Sequence, residues 1–479
     1  MHALRRRRLG LTAIGASVAL MVVTGALGDS AAARSLHPGG PLPPYSVGAH
    51  PSAWLVTGLL VLAVLAGAGG TAACWWAARA GWRPRPAGLV AAGVVAAFAL
   101  CLVPPVGSDD VYSYTAYGRM VSLGRDPYRT TPADLGADPV GRAAAAPWRD
   151  TASVYGPLAT AEQAAVMRVA GDDVRTGVAL LQVLAAAAFA ATALLLHRAA
   201  ADEDGRLRAA LLFAVNPLLL LHLVGGVHVD VLVALLTVAA VISARRRPMV
   251  AGVLAGAAMT TKLSAGLVVA GIGWSLRRRS RRLTACLAVA AVTVGGAYLA
   301  VGGLRAAEPA RHAARYVSRA TPWRPVALVL DDVFGRSASR TIVAVGAAAV
   351  LVLLLPPLHR AVPGRDDDTG HRAAARAVAV PVLAWLLAAS YALPWYDAAL
   401  WCVLALLPWS RWDELLLART TVLSLAYLPG RLVPLPPALV TTTHAVRNDI
   451  APVALAALLG LALVLVRRAR PLTALSAPP

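Results

Sequence analysis

Lysine is nearly missing from this chain: of its 45 basic residues, Lys262 alone is not arginine. Charge of either sign is scarce, at 14% of 479 residues, while 58% are hydrophobic. That balance excludes a string of soluble domains. Cysteine is equally sparse. Cys74, Cys101, Cys286 and Cys402 stand inside apolar runs, with no CxxC pair and no histidine at ligand spacing. They read as small hydrophobes and signal neither a zinc site nor a disulfide framework. A phosphate-cradling glycine loop is also missing, because the glycine-rich stretches lie within apolar runs, where small residues serve helix packing. No internal repeat of the kind that marks many transporters is present.

What the chain has instead is apolar blocks. Each long block can cross the roughly 30 Å hydrocarbon core of a bilayer, which takes about 20 helical residues. Spans are expected near 9–27, 53–76, 88–106, 176–197, 208–225, 227–243, 283–303, 341–358, 376–393, 396–409, 414–428 and 451–466. The net charge of +21 sits between these blocks and not on a soluble amphipathic face, which argues against a nucleic-acid partner. Arginine-bearing loops at Arg5–Arg8, Arg79–Arg85, Arg198–Arg208, Arg245–Arg247, Arg277–Arg282, Arg360–Arg376 and Arg467–Arg470 alternate with the rest. The arginine bias of cytoplasmic loops places them inside, where they would also hold anionic lipid head groups. Small residues at Ala31–Ala33 would suit a signal cleavage, but the first run is long for a signal core, so a retained helix is expected. Residues 249–276 carry basic flanks at both ends and Lys262 near the middle. Two short helices, or a re-entrant hairpin with Lys262 at its outer tip, satisfy that pattern. The expectation is an all-α, polytopic transmembrane bundle forming a single domain over 1–479. It has about 13 or 14 membrane segments, both termini inside, and helical outer loops at 107–175 and 304–340.

Polar residues gather on the outer side. Ser108-Asp109-Asp110-Val111-Tyr112-Ser113-Tyr114 opens the first large loop. Paired carboxylates at a membrane surface are costly to desolvate and mark a functional site by default, although a solvated helix cap is the plain alternative. A carboxylate beside an acceptor sugar could take the proton from its hydroxyl. Ala116-Tyr117-Gly118-Arg119, Gly124-Arg125-Asp126-Pro127-Tyr128 and Val154-Tyr155-Gly156-Pro157 follow. Rings interleaved with carboxylates suit carbohydrate; singly, each tyrosine could belong to an interfacial aromatic belt. Gly226-Val227-His228-Val229-Asp230 lies at a tight outer turn, and Pro394-Trp395-Tyr396-Asp397 lies at an outer boundary. Lys262 offers a compact point charge where the rest of the chain uses arginine, suited to a phosphate. Arg311, Arg315 and Arg319 recur every four residues, so a helix would align them, either to steer an anionic lipid phosphate or to rest on head groups.

The run Ser108 to Arg119, with Gly124 to Tyr128 and Tyr155-Gly156-Pro157, resembles the actinobacterial polyprenyl-phosphomannose-dependent α-1,6-mannosyltransferases of the GT-C superfamily, over most of the chain. The resemblance implies a GT-C fold and a catalytic base in the first outer loop. The matching acid is Asp110, and Asp109 stands where the family has another polar residue, so both acids are candidates. Donor or acceptor binding falls to Tyr112, Tyr114, Arg119, Asp126, Tyr128, Tyr155, His228, Asp230, Lys262, Trp395 and Tyr396. It further implies one inverting displacement at the outer face of the cytoplasmic membrane. Mannose would pass from a polyprenyl-phosphate-linked donor to a lipid-anchored mannan acceptor in α-1,6 linkage. No cofactor and no metal-ligand set are assigned, and a divalent cation is compatible with the paired acids. The rival readings are a GT-C transferase for another lipid-linked sugar, such as arabinofuranose, and a lipid-linked-sugar flippase without chemistry.

Overall fold

The computed structural model describes residues 2–36, 42–364 and 370–468. Among these residues the chain is helical throughout, with one isolated β-bridge between Ala33 and Val106 and no strand. In chain order come α1 (His2–Ala26), α2 (Ala53–Arg79), α3 (Pro86–Leu100), α4 (Asp110–Ser122) and α5 (Pro157–Ala170). Then follow α6 (Val174–Ala199), α7 (Glu203–Gly225), α8 (Asp230–Ser243), α9 (Pro248–Thr261), α10 (Gly266–Leu276) and α11 (Ser280–Leu299). The last are α12 (Trp323–Ala361), α13 (Arg372–Ala388), α14 (Ala398–Leu404), α15 (Arg411–Tyr427) and α16 (Pro437–Arg468).

Seven of these helices, α1, α2, α6, α7, α11, α12 and α16, are long and apolar enough to cross a membrane, while α3, α8, α9 and α10 are apolar but shorter. The 13 or 14 expected segments are therefore reached only by counting helices that stop short of a full span. Between α9 and α10 the irregular backbone at Lys262–Ser264 lines a cavity, the one setting in which a membrane tolerates it.

The bundle has two chemically distinct ends. At one, arginines bridge neighbouring helices: Arg79 to Glu414 at 2.6 Å, Arg83 to Asp204 at 2.9 Å, and Arg282 to the Arg245 carbonyl at 2.8 Å. There the buried Arg208 grips both carboxylate oxygens of buried Asp413 at 2.8 Å, donates to the Leu404 carbonyl at 2.9 Å, and lies over the Trp409 ring. These are the loops expected inside; Arg470 and part of the 360–376 loop lie outside the described residues. At the other end, backbone bonds sew distant loops together. The Val106 amide donates to Gly225, Gly107 to Ala32, Gly156 to Thr261, Ser318 to Ser390 and Arg431 to Ala31.

The 249–276 puzzle resolves as two short helices. α9 ends at Thr261, Lys262 is extended (φ −152°, ψ 126°), and a 3₁₀ turn, Leu263–Ala265, leads into α10. The expected arginine stripe fails to form. The helix carrying Arg311 ends at Ala313 and the chain turns at 314–315, so Arg315 and Arg319 do not continue its face. The long helix α12 begins at Trp323 and bends at Gly335, whose φ is 75°.

Candidate active site

Four sequence features build the site. Gly107 and Gly430 both have positive φ, and a Cβ on Gly430 would fall on the Gly107 carbonyl, so the two loops can meet only as glycines. Their contact delivers Arg431 to Asp109. The guanidinium donates its Nε to both oxygens of Asp109, at 3.0 and 3.2 Å, and reaches Asp29 and the carbonyls of Ser30 and Ala33 through the same side chain. Gly156 likewise abuts the Thr260 carbonyl with no room for a Cβ, and Pro157 starts α5 at a position that needs no N–H. This places Tyr155 beside the α9–α10 break. Before α8, the α7 helix widens into a π stretch, Leu220–Gly225, and Val227 takes a φ of 54°, an outlier for a β-branched residue. Such backbone costs on the order of 1–3 kcal/mol and clusters at functional sites; here it presents His228.

These loops enclose a cavity of about 970 Å³, at the upper end of the usual range for ligand sites. Asp110, Tyr155, Lys262, Trp395 and Tyr396 line it. Asp110 stands in the first turn of α4, its amide bonded to Ser108 Oγ at 3.1 Å, where the helix field favours a carboxylate. Ser108, and not Asp109, supplies that side-chain bond. Nearby, Tyr155 donates to the Tyr114 hydroxyl at 3.3 Å. Burial pushes Asp110 up to about 7, opposed by Lys262 and reinforced by Asp109 and Asp230. That is the range suited to a general base.

The other carboxylates near the cavity are taken. Lys262 Nζ lies 2.9 and 2.8 Å from the two oxygens of Asp230 and 3.8 Å from the Tyr396 ring centroid. Asp397, fully buried, pairs with Arg419 and accepts from Thr420 at 2.7 Å. Asp109 faces Arg431. Only Asp110, among these four, lacks a cation within ion-pair distance other than the imidazole of His228, whose Nε2 is 3.5 Å from Oδ2. That ring stacks on Trp395 at 3.5 Å and 18°.

Of the eleven residues expected to bind donor or acceptor, seven do not line the cavity: Tyr114, His228 and Asp230 are packed beside residues that do, and the local chemistry of the other four explains their place. Tyr112 is 1% exposed in the core under the Arg34 guanidinium. Arg119 pairs with Asp138 at 2.9 Å. Asp126 accepts from the Tyr128 amide in a turn, and Tyr128 bonds Thr160 at 2.9 Å. They hold the loop together. Reading from the sequence missed Arg431 and Arg447. Arg447 lines the cavity, donates Nε to the Ala426 carbonyl at 2.7 Å, lies over the Tyr427 ring, and has no carboxylate partner among the described residues. Their signal was position, as arginines on the side where the arginine bias predicts none. Among the described residues no three His, Cys, Asp or Glu side chains converge as a metal-ligand set.

A family profile described as the N-terminal domain of alpha-(1->6)-mannopyranosyltransferase matches residues 12–278. Alpha-(1->6)-mannopyranosyltransferase A of Corynebacterium glutamicum is 32% identical over 177 residues, covering 36% of this chain and 36% of that protein. Its namesake in Mycobacterium tuberculosis is 31% identical over 206 residues, covering 41% of this chain and 39% of that one. The chain thus spans well under half the length of the curated relatives it matches. A solved archaeal oligosaccharyltransferase AglB from Archaeoglobus fulgidus, in complex with an inhibitory peptide and a dolichol-phosphate, aligns with 80% of this chain and 50% of its own. The TM-score is 0.33 and the identity 14%, too remote to bear on chemistry.

Proposed function

We propose that this chain, which belongs to the alpha-(1->6)-mannopyranosyltransferase family by the match over residues 12–278, transfers mannose from a polyprenyl-phosphate donor to a lipid-anchored mannan acceptor. The observation that carries this reading is Asp110, a carboxylate free of an arginine or lysine clamp in a cavity rimmed by aromatic rings. An acceptor hydroxyl placed against it loses its proton to Oδ2 as the oxygen attacks the anomeric carbon. The bond from that carbon to the phosphate oxygen breaks, and inversion of a β-linked donor gives an α-mannoside. Tyr155 and Trp395 offer ring faces to sugar and His228 stands beside the base, while Tyr396 carries Lys262 over its ring and stacks with Trp385.

The departing polyprenyl phosphate carries growing negative charge, which a fixed cation in a water-poor cavity stabilises. Arg447 suits that role better than Lys262, because Asp230 already neutralises the lysine. Lys262 then orders Asp230 and Tyr396 around the base. With the arginine-bridged end of the bundle facing the cytoplasm, the cavity opens at the outer face of the cytoplasmic membrane, where a lipid-linked donor needs no nucleotide site.

The test is turnover of polyprenyl phosphomannose by purified protein in lipid nanodiscs with a short α-1,6-mannan acceptor. Asp110→Asn should cut turnover by roughly 10²–10⁴-fold, the usual worth of a general base. Asp109→Asn should lose less. Full-rate elongation by folded Asp110→Asn protein would overturn the catalytic reading, and turnover of the arabinose donor but not the mannose donor would overturn the sugar.

A further inference from the structure

A sugar ring has a face of C–H bonds and a rim of hydroxyls, so a platform for it needs an unclaimed aromatic face with a polar atom at its edge. Eight tyrosine and tryptophan rings line the cavity, and seven are engaged with a neighbour. Trp395 stacks on His228, Trp385 on Tyr396, and cations lie over Tyr396 and Tyr427. The remaining tyrosines, Tyr155 among them, meet other tyrosines at a steep angle. The eighth ring is Trp148. Half-buried on a single helical turn, Ala146–Arg149, it has no stacked ring, no cation over its face and no bond to its indole Nε1 among the described residues. Its place relative to the base is set by the backbone. Asp110, Tyr114 and Tyr117 share one face of α4, at spacings of four and three. The Tyr117 hydroxyl donates to the Thr151 carbonyl at 3.0 Å, and the Thr151 amide donates to the Trp148 carbonyl at 3.1 Å. Arg149 ties the same turn to the carbonyls of Arg142 and Ala144 at 3.0 and 3.4 Å. Further along, Tyr155 returns to Tyr114. Trp148 and Tyr155 therefore both hang on the face of α4 that carries Asp110.

The cavity is polar on that side and apolar on another. α12, long and apolar enough to cross a membrane, brings Ala344, Ala347, Ala348 and Leu351 to it, at spacings that put them on one helix face, and α16 adds Arg447. A polyprenyl chain and its phosphate suit that side; a hydroxyl-rich glycan suits the outer loop. We propose that Trp148 is the platform for a mannose ring of the acceptor glycan, its face against the sugar's C–H bonds and its indole N–H donating to a hydroxyl oxygen. The inference rests on the cavity taking a mannan acceptor. Trp148 binds substrate and takes no part in moving the proton, so its loss weakens acceptor binding and leaves the donor and the chemical step alone. A tryptophan can also anchor a loop at the membrane interface without touching substrate. Such an anchor would alter stability and neither Michaelis constant.

The experiment compares Trp148→Ala, Trp148→Leu and Trp148→Phe with the unaltered protein in nanodiscs, using polyprenyl phosphomannose and the mannan acceptor. Measured are acceptor KM, donor KM, kcat and thermal unfolding, together with the binding of a fluorescently labelled α-1,6-mannotriose in the absence of donor. Trp148→Ala and Trp148→Leu should raise acceptor KM and the mannotriose Kd by roughly 10–100-fold, the usual cost of truncating an anchoring tryptophan, with donor KM and kcat little changed. Trp148→Phe, which keeps a ring face, should recover most of that loss. Unaltered acceptor KM and mannotriose binding in folded Trp148→Leu protein would overturn the platform, as would a rise confined to donor KM or a loss of stability that moves neither constant. Asp110→Asn separates the failures. If it stays active while Trp148→Leu binds mannotriose weakly, the base assignment falls and the platform stands; if it is inactive while Trp148→Leu binds normally, only the platform falls. Unaltered protein that neither binds mannotriose nor elongates mannan would overturn the proposed function and the platform with it.

Discussion

The base proposed above works only when ionised, and the carboxyl of Asp110 is pushed up to about 7 chiefly by burial. Turnover should therefore rise with pH through an inflection near 7 and fall as acid protonates the group, which a pH–rate profile of kcat/KM reads directly. The sign for stability is opposite. A carboxyl whose pKa is raised on folding binds its proton more tightly in the folded state, so stability declines as pH rises from the ordinary carboxylate range to about 7. Asp109 illustrates what one neighbour changes. Burial raises it also, but Arg431 opposes that through charge and hydrogen bonds, and the pair is an anchor for the loop ends. The family resemblance pointed to Asp110, but spacing left both acids open, because what divides them is an arginine 322 positions away. Lys262 was singled out by composition, yet its partner Asp230 decides what it can do.

Among the elements, the glycines of the motifs act by proximity. Gly156 lets the Tyr155 loop sit on the carbonyl end of α9, and Gly118 lets α4 cross α5 against the Gln163 carbonyl. Gly156→Ala should cost about 1–3 kcal/mol, the usual penalty of overpacking, and should lower turnover as well, because Tyr155 and Lys262 move apart. Thermal unfolding in detergent and the mannan assay measure the two effects separately. The interruptions of α7 and α9 follow the same logic. A π stretch and an extended lysine break the helical period where side chains must turn into the cavity, so hydropathy counting marked the apolar residues correctly and overstated the full-length spans. The four-residue spacing of Arg311, Arg315 and Arg319 implied a helix that the backbone does not continue, since periodicity alone does not supply the contacts that keep a short helix going.

Across the whole molecule, the basic end is stabilised by the Arg208–Asp413 pair, with side chains 3% and 0% exposed. Removing one partner strands a buried charge, so Asp413→Ala should cost roughly 3–5 kcal/mol. An Arg208→Met/Asp413→Leu double variant should recover most of that, and the folded fraction of each should keep its turnover, as neither residue approaches the cavity. Equilibrium or thermal unfolding beside the activity assay tests both halves. The amino-acid sequence by itself determined the helical bundle, the sorting of arginines into alternate loops, and the short motifs that reach the cavity, because hydropathy and local spacing are properties of neighbours in the chain. Only the tertiary structure decided which acid stays unclamped, which arginine faces the cavity, and that Tyr112, Arg119, Asp126 and Tyr128 brace the loop. Those outcomes depend on charges and carbonyls brought together from distant segments, where burial and pairing set the chemistry of each group.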